Sequence, residues 1–304
     1  MVPSLKRVLA LVVPRANIAT IESAMSHPVT ELVIEAGHTE RNYWRDLFRY
    51  RELFYFLAWR DVLVRYKQTV IGILWAVLRP LLSMLVLTFA FGRIAKLPAE
   101  GMPYPVMVMT GQCLWQLFST SLTEGSGSLI NNSNLISKVY FPRLIVPTSS
   151  VIVSFVDFAI SLVLLGILMI IYHVWPTWTL LVLPLFTALA LLASMGAGVW
   201  LAALNVKYRD FRYVVPFMVQ LGLYVSPVGF SSQVISAKLP EKWRLLYPLN
   251  PIVGPIDGFR WAISGGRTAF PTQSLIISTI TVVFVLATGI WYFRKTERTF
   301  ADVI

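Results

Sequence analysis

Cysteine occurs once in this chain, at position 113, histidine three times, and charged side chains make up only 13% of the 304 residues. A lone cysteine excludes an intrachain disulfide and a paired C-x-x-C metal framework. His27 and His38 lie near the start and His173 at the edge of an apolar run, too far apart in sequence for a histidine-based metal site, so no metal is expected. No G-x-x-x-x-G-K-[ST] loop is present, which excludes nucleotide hydrolysis of the P-loop kind on this chain. The G-x-S-x-G, H-E-x-x-H and protein-kinase signatures are missing too, so no catalytic residue is assigned. The net charge of +11 comes without a basic soluble domain or a nucleic-acid motif, and no nucleic-acid partner is expected.

What the chain has in quantity is apolar surface. Hydrophobic residues make up 56% and the mean hydropathy is +0.67. Uninterrupted apolar runs reach the roughly 20 residues that cross a bilayer as a helix. Their lengths predict six spans, at about 70–91, 104–123, 144–171, 179–204, 213–230 and 273–293. All are helical, because an open strand cannot satisfy its backbone in lipid. The predicted fold is therefore an all-α polytopic membrane protein, with a six-span domain over 70–304. An even number of spans puts both termini on one side. Lysine and arginine number eighteen on that side and seven on the other, which places both termini in the cytoplasm and accounts for the positive charge through anionic headgroups.

Residues 1–42 are read as a cytoplasmic N-terminal extension. Its opening imitates a short signal peptide, but Pro14 and Arg15 cut the apolar stretch and no small-x-small site follows directly. Residues 43–69 form an amphipathic interface helix: Leu47, Tyr50, Leu53, Phe54, Leu57 and Val64 share one face, and Arg45, Arg49, Arg60 and Lys67 an adjoining one. Asp61 falls inside the apolar face, which calls for a protein partner or a paired arginine. Between spans two and three, Asn131 to Arg143 (NNSNLISKVYFPR) breaks the apolar pattern on the cytoplasmic side. Its Asn and Ser residues can cap a short helix, Leu135, Ile136 and Val139 fall at helical spacing, and Pro142 ends the helix at Phe141. The stretch fits a docking loop as well as a plain interfacial turn. From Ser226 to Gly266, five prolines cut the apolar runs too short to span, the pattern of re-entrant segments at a pore mouth or of a folded cap. Intramembrane charge is confined to Arg79 and Asp157, at depths about 6 Å apart, so they are expected to pair.

Several of these stretches, in order, resemble one family: RDVLVRYKQTVIGILWAVLRPLLSMLVLTFAFG, YPVMVMTGQCLWQLFSTSLTEGSGSLINNSNLISKVYFPRLIVP, LNVKYRDFRYVVPFMVQLGLYVSPVGF, YPLNPIVGPIDGFRWAI and YFRKTERTFADVI. Over residues 43–304 they look like the membrane subunit of the ABC exporters that move O-antigen, capsular polysaccharide or teichoic acid. The resemblance implies a homodimeric permease in the bacterial inner membrane with two separate ATPase subunits, which carry the ATP and Mg. No cofactor is implied on this chain. It further implies a lipid-linked glycan as substrate, a coupling helix after span two and re-entrant helices before span six. Asn131, Asn134, Leu135, Lys138, Tyr140 and Arg143, with Arg60 and Asp61, are the candidate ATPase-coupling residues. Tyr104, Trp115, Phe118, Tyr224 and Phe230 are the candidate glycan-channel aromatics, because stacking lets a polymer slide where charge pairs would hold it. A permease for a small hydrophobic drug shares this architecture. A membrane-embedded glycosyl or acyl transferase is the alternative of another class, and the single buried carboxylate with no buried histidine speaks against it.

Overall fold

The computed structural model describes residues 43–67, 72–99, 101–238 and 240–300. The N-terminal extension lies outside them, as do the last four residues. Every regular element among them is a helix. Helix α1 (Tyr43–Arg49) and α2 (Arg51–Lys67) precede α3 (Gly72–Leu87), which loosens into a π-helical turn over Thr88–Ile94. Then follow α4 (Tyr104–Asn131), the short α5 (Ser133–Lys138), α6 (Ile145–Ile171), α7 (Leu183–Lys207) and α8 (Phe211–Val225). Helices α9 (Ser232–Lys238), α10 (Glu241–Arg244) and α11 (Val253–Ile263) fill the proline-rich segment, and α12 (Thr272–Thr296) closes the chain. From Trp44 onward the described residues form one compact unit.

Four helical stretches are long and apolar enough to cross a bilayer: Leu74–Ile94, Ile145–Ile171, Trp178–Lys207 and Thr272–Thr299. The other two expected spans differ from this set for opposite reasons. Helix α4 has the length, 28 residues, but carries Ser, Thr, Glu and Gly through its second half and continues eight residues past the expected end, to Asn131. Helix α8 is apolar but only 15 residues long, because Ser226 turns extended where 213–230 was expected to stay helical.

Hydroxyls are tolerated on these helices because they bond their own backbone. Thr110 donates to the Val106 carbonyl at 2.6 Å, Ser161 to Asp157 at 3.0 Å, Thr187 to Leu183 at 2.9 Å and Ser194 to Leu191 at 2.8 Å. The helices meet through small residues. Ala190, Ala193, Ser194 and Ala202 on α7 are fully enclosed, and Gly125 on α4 faces Gly198 on α7. A Cβ on Gly196 would stand 2.7 Å from the Leu286 Cα, and one on Gly289 would strike the Gly196 carbonyl, so α7 and α12 touch backbone to backbone. Facing this seam, Met107, Met109, Leu114, Leu117 and Phe259 fill the core.

Gly196→Val should therefore destabilise the solubilised protein by an amount at or above the upper end of the roughly 1–3 kcal/mol that overpacking costs, and lower its melting temperature accordingly. Gly166→Ala adds a methyl to open space and should leave it unchanged or slightly higher. Thermal unfolding of the two variants checks this, and equal behaviour would disprove the backbone contact.

Candidate functional site at the end of the bundle

Helix α2 packs against α6 and reaches α4, and is held there by a chain of charge contacts that runs from Asn132, after α4, to Asp157 at the middle of α6. Arg65 reaches the Glu124 carboxylate on α4 at 3.1 Å and the Asp157 carboxylate on α6 at 2.8 Å. The next residue, Tyr66, donates a hydrogen bond to the other Asp157 oxygen. Burial, then the hydrogen bond to Asp157 and its negative charge, push the Tyr66 hydroxyl well above the ordinary tyrosine range, against the opposing effect of Arg65, so it stays a donor. Asp157, whose side chain is only 12% exposed, is thus matched by a cation and a hydroxyl.

Arg79 is not its partner. The guanidinium of Arg79 lies 5.7 Å from the Trp75 ring, four residues earlier on the same helix, and the residue is exposed. A long stem on a helix leans toward the N-terminal turn and carries its charge toward the polar boundary, so Arg79 turns back along α3. Among the described residues no ion pair joins it to Asp157; the cation that meets Asp157 is Arg65 of the interface helix.

One turn before Arg65, Arg60 grips Asp61 through Nε at 2.9 Å and Nη2 at 2.7 Å, and the same Nη2 donates to the Asn132 side-chain carbonyl at 2.7 Å. The carboxylate expected to need a partner has one in its neighbour. Asn132 also donates to the Ser128 carbonyl at 2.9 Å. It occupies the cap position of α5 yet makes no side-chain cap bond, because its amide is engaged by Arg60 and Ser128 instead.

The loop from Asn131 to Arg143 is pinned at its far end as well. The Arg143 backbone N–H donates to the Glu297 carboxylate at 2.8 Å, the guanidinium bonds the Glu297 carbonyl, and it sits 6.0 Å from the Phe300 ring. Ile136, Phe141 and Pro142 point inward, and Leu135 is half-buried. Asn131, Asn134, Lys138, Val139 and Tyr140 are exposed, the Tyr140 ring by 48%. All eight candidate coupling residues therefore gather at one end of the bundle. Leu135, Ile136 and Val139 do not share a face as their spacing suggested, since α5 ends at Lys138 and Val139 is extended.

The interface helix has two apolar faces. Leu47, Tyr50, Leu53 and Phe54 are partly covered and Leu57 is buried, but Val64 is exposed. The outward side carries Trp44, Phe48, Tyr55, Phe56 and Trp59 in the open, which suits an aromatic belt at a membrane boundary.

The candidate channel aromatics divide. Trp115 and Phe118 are buried and packed on each other with centroids 5.7 Å apart, Trp115 lying against Gly222. Phe230 is buried edge-on to Phe91 at 5.8 Å, and the half-buried Tyr104 donates to the Gly229 carbonyl at 2.7 Å while its ring covers Gly92. Stacking on a sugar needs a free ring face, which among these five candidates Tyr224 alone presents, at 60% exposure. The other four are packing residues of the single chain, because small neighbours leave room for rings to pack inward.

A family model described as ABC-2 type transporter matches residues 52–264, from the interface helix to the end of α11. The chain belongs to the ABC-2 type transporter family. It is a multi-pass membrane protein and a permease subunit of a transporter. It is 29% identical over 261 residues to the O-antigen export system permease protein RfbA of Myxococcus xanthus, covering 86% of this chain and 98% of that one. An O-antigen export system permease protein RfbA of Klebsiella pneumoniae is 27% identical, covering 81% and 92%. The polysialic acid transport protein KpsM of Escherichia coli is 22% identical, covering 79% and 91%. In this ABC-2 permease all three side-chain ion pairs among the described residues involve α2.

The Arg65 bridge is testable by a double-mutant cycle. Asp157→Asn and Arg65→Gln should each destabilise the solubilised permease, and together by less than their sum, with a coupling of roughly 1–3 kcal/mol. Glu124→Gln, on the more exposed branch, should cost less than about 1 kcal/mol. Additive losses for Arg65 and Asp157 would contradict the bridge.

Proposed function

We propose that this ABC-2 permease is the channel-forming subunit of an ATP-driven exporter that moves a lipid-linked polysaccharide of O-antigen or capsule type across the bacterial inner membrane. The observation that carries the proposal is the likeness along nearly the whole length of the O-antigen export permeases, 98% of the Myxococcus protein. Six spans are proposed: the four apolar stretches, α4, and α8 with the extended residues after it. Helices α9 to α11 then form a re-entrant segment, in which buried Arg260 donates to the Val228 and Phe230 carbonyls at 2.8 Å each and so satisfies backbone groups that leave helical geometry. Both termini, α2 and the loop after α4 lie in the cytoplasm on this reading.

The chain works as a homodimer with two separate ATPase subunits, which bind ATP and Mg and hydrolyse the nucleotide. Their contact is the exposed ridge of Asn131, Asn134, Lys138, Val139 and Tyr140. Inward-facing Ile136 and Phe141 root the ridge in the bundle, and its two ends are tied to α2 through Asn132 and to the C-terminal turn through Arg143. A push on the ridge therefore moves α2 and α12 together. Tyr224 and the other exposed rings on α8 supply sliding contacts for the polymer.

Deleting the gene should make lipid-linked polymer accumulate inside the cell while surface polymer disappears; unchanged surface polymer would refute the export reading. Tyr140→Asp should leave the permease inserted and stable but abolish coupling, since a charge in an apolar contact costs several kcal/mol. Leu135→Asp should do the same with some loss of stability. Complex formation with the ATPase and surface polymer, both normal in Tyr140→Asp, would refute the docking surface.

A further inference from the structure

Helices α7 and α12 run parallel and touch backbone to backbone at Gly196 and Gly289, so their C-terminal ends lie side by side. Lys207 is eleven residues past Gly196, and Lys295 is nine past Leu286, which meets Gly196. At 1.5 Å per residue the two lysines come within about 3 Å of each other in depth. Both are exposed, and among the described residues neither is in an ion pair. Each ammonium lies over a neighbouring ring, Lys207 5.0 Å from the Tyr208 centroid and Lys295 5.2 Å from that of Trp291. The Tyr292 hydroxyl is close enough to Lys207 to interact with its charge, so the two cation–ring pairs form one cluster. From this cluster an apolar surface runs back along both helices: Leu192 and Trp200 on α7 and Phe284 and Trp291 on α12 are all exposed, and Trp200 stands beside Gly289. Over 207–212 and 294–298 six basic residues stand against two carboxylates, Asp210 and Glu297, and Glu297 is already engaged by Arg143.

An apolar track that ends in aromatic rings and paired cations has the chemistry of a lipid with a net negative head. We propose that one anionic phospholipid of the surrounding membrane bridges α7 and α12, its phosphate between Lys207 and Lys295, its glycerol region against Tyr208 and Trp291, and its chains along the face that holds Trp200 and Phe284. The leaflet is the cytoplasmic one; only that clause rests on the topology proposed above. An acidic protein segment would meet the lysines but has nothing for the apolar face that leads to them. A second copy seated here by a two-fold axis would set lysines against lysines. The lipid has a structural consequence. The glycine seam has no side chains to interlock, so a head group that ties the two helix ends adds a contact the chain does not make for itself.

The test uses the full-length permease in detergent, titrated with phosphatidylglycerol or with phosphatidylcholine of the same chains. Native mass spectrometry counts bound lipids and reads the oligomeric state, and thermal unfolding is followed in parallel. Phosphatidylglycerol should bind more tightly and raise the melting temperature further. Lys207→Gln and Lys295→Gln should each weaken phosphatidylglycerol binding about fivefold. The double variant should lose one lipid per chain, because both lysines hold the same molecule. Lys207→Arg and Lys295→Arg should keep the lipid, and so should Lys238→Gln, which removes an exposed lysine from α9. Equal binding of the two lipids, or an equal loss in Lys238→Gln, would overturn the site. Loss of two lipids per chain in the double variant would overturn the bridge. A change of oligomeric state with the lipid count unchanged would assign the face to a second copy instead. None of these readouts involves export, so their failure leaves the export reading untouched, and the gene deletion above tests that reading separately.

Discussion

A leucine between two helices in a bilayer gains little over a leucine facing acyl chains, so apolar content inserts these helices without telling them how to pack. What holds them is close backbone approach and polar contact. Both are concentrated here. Gly196 and Gly289 bring α7 onto α12, Gly125 and Gly198 bring α4 onto α7, and Arg65 ties α2 to α4 and α6 through Glu124 and Asp157. The glycine seam fixes the bundle within the membrane. The Arg65 bridge fixes what lies at its end, and every candidate coupling residue depends on where α2 and the loop are held.

This division explains why polar residues are tolerated deep in the chain. Serines and threonines bond the turn before them, Arg260 spends its N–H groups on carbonyls at the break after α8, and Asp157 is matched by Arg65 and Tyr66. At the end that carries the loop, Tyr140, Lys138 and the arginines of the α7–α8 turn are exposed.

Much of the fold was legible in the sequence because the bilayer permits so few solutions: run length alone placed the ends of α6, α7 and α12 within a few residues. It misplaced the end of α4, since Ser, Gly and Thr look like loop residues but continue a helix when they bond back along it. The loop from Asn131 to Arg143 stood out because its polarity had no place in lipid. The partner of Asp157 did not, because charge counting within spans omits Arg65, which reaches in from an interface helix. The buried state of Trp115, Phe118 and Phe230 was equally hidden: aromatic periodicity locates a face, but Trp115 is received by Gly222, more than a hundred residues away, and Phe230 by Phe91, on the first apolar stretch.

The central claim is that this permease moves a lipid-linked glycan only when a separate ATPase drives it through the cytoplasmic end of the bundle. It is tested most directly by reconstituting the purified permease in liposomes, with and without its ATPase, and following the transfer of a lipid-linked glycan between leaflets. The account predicts transfer that requires the ATPase and hydrolysable ATP together. Equal transfer by the permease alone, or ATP hydrolysis by the full complex with no movement of glycan, would contradict it.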